Sequence, residues 1–130
     1  VNWIPFNPNP ESKYVGDCVI RALSLALNKD WSSTYLDLMV KGYEMCDMPS
    51  SNAVWAAYLR SKGYIRHTIP NECPDCYTVN DFCIDNPKGV YILATGTHVV
   101  TVKDGKYYDT WDSGNEVPMY YFMKEFRNGL

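Results

Sequence analysis

No stretch of the sequence approaches the ~20 consecutive apolar residues that a membrane-spanning helix needs. Lysine and arginine are few and scattered, 12 against 15 acidic residues, for a net charge of -3. Without a basic block interleaved with aromatics, the phosphate neutralisation behind nucleic-acid binding is missing. A polybasic contact with a membrane surface is excluded on the same ground. The first residues, "VNWIPFNPNPESKY", lack the basic segment and following apolar run of a secretory leader. Five cysteines leave at least one thiol unpaired in a monomer. The expected location is therefore the cytoplasm, with reduced thiols rather than a disulfide framework. There is no internal repeat, linker or low-complexity tract, and nothing calls for a cofactor.

What is present fits one globular domain: 130 residues, 46% of them hydrophobic. Aromatics reach 15%, with eleven tyrosines, a residue suited to half-buried strands and cleft rims. Residues 1–13, with Pro5, Pro8 and Pro10, read as an irregular lead-in. A helix is expected over about 17–28, capped by Asp17, with Val19, Ile20, Leu23, Ala26 and Leu27 on its apolar face. A second, about 32–45, is expected to start at Ser32 or Ser33, to pack through Tyr35, Leu38, Met39 and Tyr43, and to be weakened by Gly42. A third starts at Ser50 or Ser51, packs through Val54, Trp55, Tyr58 and Leu59, and ends at Gly63. A strand at 64–69 and a loop at 70–77 follow. Thr78 then caps a short helix that stops before Pro87. The last third, "GVYILAT", "THVVTVKDGKYYDTWDS" and "MYYFMKEF", is rich in strand formers. The fold class is α+β, with N-terminal helices packed on a C-terminal antiparallel sheet.

The stretch "HVVTVKDGKYYDTW" carries the most geometry. Asp104-Gly105 between strand-like runs signals a type I′ hairpin turn. That turn pairs Lys103 with Lys106, Val102 with Tyr107, Val100 with Asp109 and His98 with Trp111. Side chains alternate, so His98, Val100, Val102, Tyr107, Asp109 and Trp111 share one face. His98 and Asp109 are then diagonal neighbours, roughly 7 Å apart at Cβ, while Asp112 points the other way.

"VGDCVIRALSLAL" puts Cys18 at the mouth of a helix. A helix N-terminus and a neighbouring imidazolium both lower a thiol pKa. Cys18 as nucleophile, His98 as general base and acid, and Asp109 as its orienter form an acyl-transfer set. Free N–H groups at the helix start would receive the oxyanion. Gly16 leaves room for a substrate backbone. His67, beside a proline-rich loop with no such constellation, reads as structural.

A cysteine opening a central helix, a later strand histidine and an acid on the next strand resemble the papain-like cysteine peptidase superfamily. "DTWDSG" is similar to the "NSWG" motif of that superfamily, with Asp109 in place of the asparagine and Trp111 in place of the tryptophan that shields the histidine. The chain from "FNPNP" through "VGDC" and "MPSSNAVW" also resembles small phage and prophage proteins of Gram-positive bacteria. The resemblance implies a papain-like fold and a peptide or protein substrate, cut at an amide or isopeptide bond through a thioester. One departure is plain. The superfamily's oxyanion glutamine, six residues before the cysteine, is replaced by Ser12, a poorer donor, with Asn7 or Asn9 as substitutes. "GDCVIRAL" is locally similar to ovarian-tumour-type deubiquitinases. "DC" with "HVVTVKDG" is similar to NlpC-type peptidoglycan endopeptidases, but the Ser-Gly that usually follows their cysteine is absent. The alternatives are a non-catalytic papain-like interaction or inhibitor module, and an NlpC-like hydrolase or acyltransferase.

"CPDC" raises a separate question. Cys73 and Cys76, joined by Cys83 and by Cys46 or His67, could supply four zinc ligands. The spacing matches no zinc finger, and the loop lacks the βαβ context of a redox dithiol. The leading reading has plain loop or core thiols and no metal.

Overall fold

The computed structural model describes residues 2–71 and 73–125. Its elements run β1 (Trp3–Pro5), α1 (Cys18–Ala26), α2 (Trp31–Glu44), α3 (Asn52–Ser61), β2 (Tyr64–Thr68), α4 (Val79–Asp85), β3 (Val90–Ala94), β4 (Val99–Lys103), β5 (Lys106–Asp109) and β6 (Tyr120–Lys124). The class is α+β. One six-stranded sheet has the order β1-β5-β4-β3-β6-β2.

The sheet is mixed rather than antiparallel. Trp3–Pro5, expected to be irregular, pairs in parallel with Tyr107–Asp109. Three residues are too few to show periodicity, and Pro5 fits because an edge strand can spare an N–H. The other four pairings are antiparallel.

Two apolar clusters sandwich the sheet. Leu23, Trp55, Leu59, Ile92, Val99 and Phe122 belong to the cluster built with α1 and α3. Val79, Phe82, Leu93, Val100, Val102 and Tyr107 form the other, under α4. The alternation Ile92/Leu93 and Val99/Val100 divides the residues between the faces, as a period of two requires.

Several local expectations are corrected. Asp30, not Ser32 or Ser33, caps α2, accepting from the Ser33 N–H at 2.7 Å. Its buried stripe is Thr34, Leu38 and Gly42, whereas Tyr35, Met39 and Tyr43 are exposed. Gly42 is there for close packing: a Cβ would sit 2.8 Å from the Asp47 carbonyl oxygen. The Asp17 side chain makes no capping bond at α1, because its carboxylate is taken by Arg21 and Trp31. Thr78 does cap α4, in a reciprocal capping box with Asp81. The last strand ends at Lys124, and Phe126 of the expected "MYYFMKEF" strand lies outside the described residues.

Candidate active site

Cys18 is the first residue of α1, where the leading N–H groups have no intrahelical partner. His98 sits just before β4, in a tight link from β3. The Thr95 N–H donates to the His98 carbonyl at 2.8 Å, and the His98 N–H donates to Thr95 Oγ1 at 2.9 Å. Asp109 ends β5. Its carbonyl accepts from Trp3 Nε1 at 3.1 Å and from the Phe6 N–H at 2.9 Å. The strand missed by periodicity thus helps to seat Asp109.

These three side chains meet. His98 Nε2 and Asp109 Oδ2 are 2.6 Å apart. The Cys18 thiol hydrogen-bonds to the His98 side chain and to the Val99 backbone. With Nε2 engaged by Asp109, Nδ1 is the ring nitrogen left for sulfur. Trp111 covers the imidazole, with ring centroids 4.9 Å apart. Asp112 is elsewhere, accepting from the Tyr107 hydroxyl and the Gly114 N–H.

The hairpin register agrees with its Asp-Gly turn as far as Thr101 opposite Tyr108, and there the ladder stops. The expected pairs Val100–Asp109 and His98–Trp111 are not formed as ladder pairs. The shared face is lost with them. Val100, Val102 and Tyr107 pack with α4, whereas Asp109 reaches Arg21 on α1. Asp109 stays paired with Pro5 of β1 but has no partner on β4, and its carboxylate meets the His98 ring and Arg21 at the sheet end, beside the α1 N-terminus.

Burial opposes charge at each member, and hydrogen bonds decide the outcome. Burial raises the Cys18 thiol pKa, but bonds from His98 and the Val99 backbone, with the charges of His98 and Arg21, bring it below its ordinary value. Burial lowers the His98 pKa, but Asp109 and Cys18 raise it to about 9. Asp109 is held below the usual carboxylate range because the bonds from His98 and Ser113 outweigh burial. The interactions at the site therefore favour the charged form of each partner, thiolate at Cys18 and imidazolium at His98.

A cavity of about 440 Å³ adjoins the pair, walled by Gly16, Tyr35, Met39, Met48, Thr95 and Gly96 among others. A Cβ on Gly16 or Gly96 would meet nothing within 4 Å, and neither has a positive φ. Ser12 is exposed in a left-handed turn and is not among the cavity-lining residues. Asn7 Nδ2 donates to the Lys13 carbonyl and the Asn9 side chain accepts from the Glu11 and Lys13 N–H groups, so both amides serve their own loop. His67 lies on β2, at the other edge of the sheet, against Glu125 and Tyr121.

The zinc set is not assembled. Cys73 and Cys76 are joined as a disulfide, which corrects the expectation of plain thiols there. The tight loop brings their Cα atoms to 4.5 Å, within the range a disulfide spans. Cys46 is exposed and Cys83 buried, both free. Among the described residues no group of three or more His, Cys, Asp or Glu could hold a metal ion.

Sequence reasoning missed Arg21 and Ser113. Arg21 Nη1 pairs with Asp17 Oδ1, and its Nη2 donates to Asp109 Oδ1 at 2.9 Å. Ser113 Oγ donates to Asp109 Oδ2 at 2.6 Å. A signal for Arg21 existed: a cation inside an apolar helix, four residues after an aspartate. None marked Ser113.

No family model, curated protein or solved structure matches the chain. Among the described residues no helix is long and apolar enough to cross a membrane.

Proposed function

We propose that the chain is a papain-like cysteine hydrolase of amide or isopeptide bonds in peptide or protein substrates, acting in the cytoplasm. The observation that carries this reading is the Cys18 thiol at a helix mouth, bonded to an imidazole that Asp109 holds at 2.6 Å.

The chemistry follows from the two charges. Cys18 Sγ, as thiolate, attacks the carbonyl carbon, and the carbonyl π electrons move onto oxygen. N–H groups at the start of α1 stabilise that oxyanion. His98 gives its Nδ1 proton to the amine as the C–N bond breaks, leaving a thioester. Water then attacks, His98 takes its proton, and Cys18 leaves as thiolate. Asp109 keeps the imidazole oriented throughout and takes no proton. The cavity beside the pair offers space for a substrate side chain, with the open glycines Gly16 and Gly96 where a backbone could pass.

One observation favours the non-catalytic alternative: Ser12, Asn7 and Asn9 supply no side-chain donor at the cavity. Competition among the chain's own thiols discriminates. Iodoacetamide at neutral pH should alkylate Cys18 well ahead of the exposed Cys46, and C18A should lose that fast phase. Equal rates at Cys18 and Cys46 would remove the basis for the enzyme.

A further inference from the structure

We propose that Arg21 is a positioning residue of this site, locking the Asp109 carboxylate so that one oxygen faces His98. The inference rests on reading Cys18, His98 and Asp109 as the reacting set.

Arg21 is 5% exposed, in a helix whose other buried residues are Val19, Ala22, Leu23 and Ser24. A buried ion pair is weak evidence of stabilisation, since well-packed apolar residues often serve as well. Its value lies in direction. The guanidinium is a planar fork that can hold two acceptors in fixed relative positions. Here one prong takes Asp17 and the other Asp109. Asp17 is anchored in turn by Trp31 Nε1 at 2.8 Å, so α2 braces the fork from behind.

The effect on Asp109 is complete occupancy. Oδ1 accepts from Arg21 at 2.9 Å and from the Thr110 N–H at 2.8 Å. Oδ2 accepts from His98 and from Ser113, both at 2.6 Å. Four donors on two oxygens leave the carboxylate no rotation that keeps them all. Arg21 also lies three residues after Cys18. The first turns of one helix therefore carry both the nucleophile and the clamp on the acid. Around the guanidinium the titratable groups are Asp17 from its own helix end and Asp109 from β5, with His98 and Cys18 behind Asp109.

Two readouts separate positioning from plain stabilisation: the downfield proton resonance of His98 Nε2–H, and the pH profile of Cys18 alkylation by iodoacetamide. R21M should lose the resonance and move the acid limb of alkylation to higher pH, because the cation favours thiolate. A one-unit move slows labelling about tenfold on the acid side. R21K keeps a charge without the fork, so it should keep the acid limb near wild type and still lose the resonance. Folded R21M or R21K with the wild-type resonance overturns the proposal, even if the melting temperature falls. If neither folds, D17N takes their place: an unchanged resonance there overturns it and a shifted one supports it. A wild-type Cys18 no faster than Cys46 would instead defeat the proposed hydrolase, so the two failures are distinct.

Discussion

At Cys18 and His98, burial and hydrogen bonding pull in opposite directions, and the pH dependence follows from which wins. The Cys18 pKa is lowered, so thiolate is present from below the ordinary thiol range and is lost as pH falls through that lowered value. His98 holds its proton up to about 9. The proposed hydrolysis needs the thiolate to attack and the imidazolium to protonate the leaving amine. Turnover should therefore form a plateau, falling on the acid side with Cys18 and on the alkaline side near 9 with His98. Replacing His98 by alanine removes its bond and charge, which lower the thiol pKa, and leaves burial opposed only by the Val99 backbone bond and the Arg21 charge. The alkylation midpoint of Cys18 in H98A should then move up in pH, and an unchanged midpoint would contradict the pairing. Cys83 shows the case without a hydrogen-bonding partner in the same chain: burial, opposed only by the charge of Lys106, pushes it up to about 11. It should stay unlabelled while the fold is intact.

At the scale of elements, two helices make the point that local sequence signals have tertiary causes. Gly42 resembles a weak spot in α2, and propensity alone predicts that alanine would strengthen the helix. Its surroundings reverse the sign. A Cβ would lie 2.8 Å from the Asp47 carbonyl oxygen and 3.1 Å from the Pro49 nitrogen, both backbone atoms. G42A should destabilise by about 1–3 kcal/mol, as overpacking does, measured by denaturant unfolding; a gain in stability would refute the close-approach reading. Asp17 is the converse. It stands where a cap belongs, but pairing with a buried guanidinium claimed its carboxylate.

Across the whole molecule, the site is assembled at one end of the sheet from distant parts of the chain. The N-terminal strand β1 bonds to Asp109, 106 residues away from Trp3. Removing residues 1–6 takes away the Trp3 and Phe6 donors to the Asp109 carbonyl and exposes the β5 edge. We expect a lower melting temperature and slower Cys18 labelling in a chain that keeps its helical signal. Wild-type labelling would show that β1 is dispensable to the site.

Much of this arrangement was legible from local rules. The Asp-Gly turn set the hairpin register from Lys103–Lys106 to Thr101–Tyr108, because a two-residue loop leaves no freedom in pairing, but it did not reach Asp109 or Asp112. The third and fourth helices and the β-rich last third followed from periodicity and caps. What remained hidden needed contacts between segments far apart in sequence. A three-residue strand has no period to detect, the fork of Arg21 has meaning only with Asp109 beside it, and the Ser113 hydroxyl matters only because the chain turns after β5. Sequence by itself determined which residues could be a nucleophile, a base and an orienter, since those are matters of residue type and of spacing across one turn. Tertiary structure alone decided that Asp109 and His98 meet beside the α1 N-terminus. The β4–β5 ladder ends at Thr101 opposite Tyr108, one residue before Asp109 and three residues after His98, and the side-chain directions of those two are set by their polar partners.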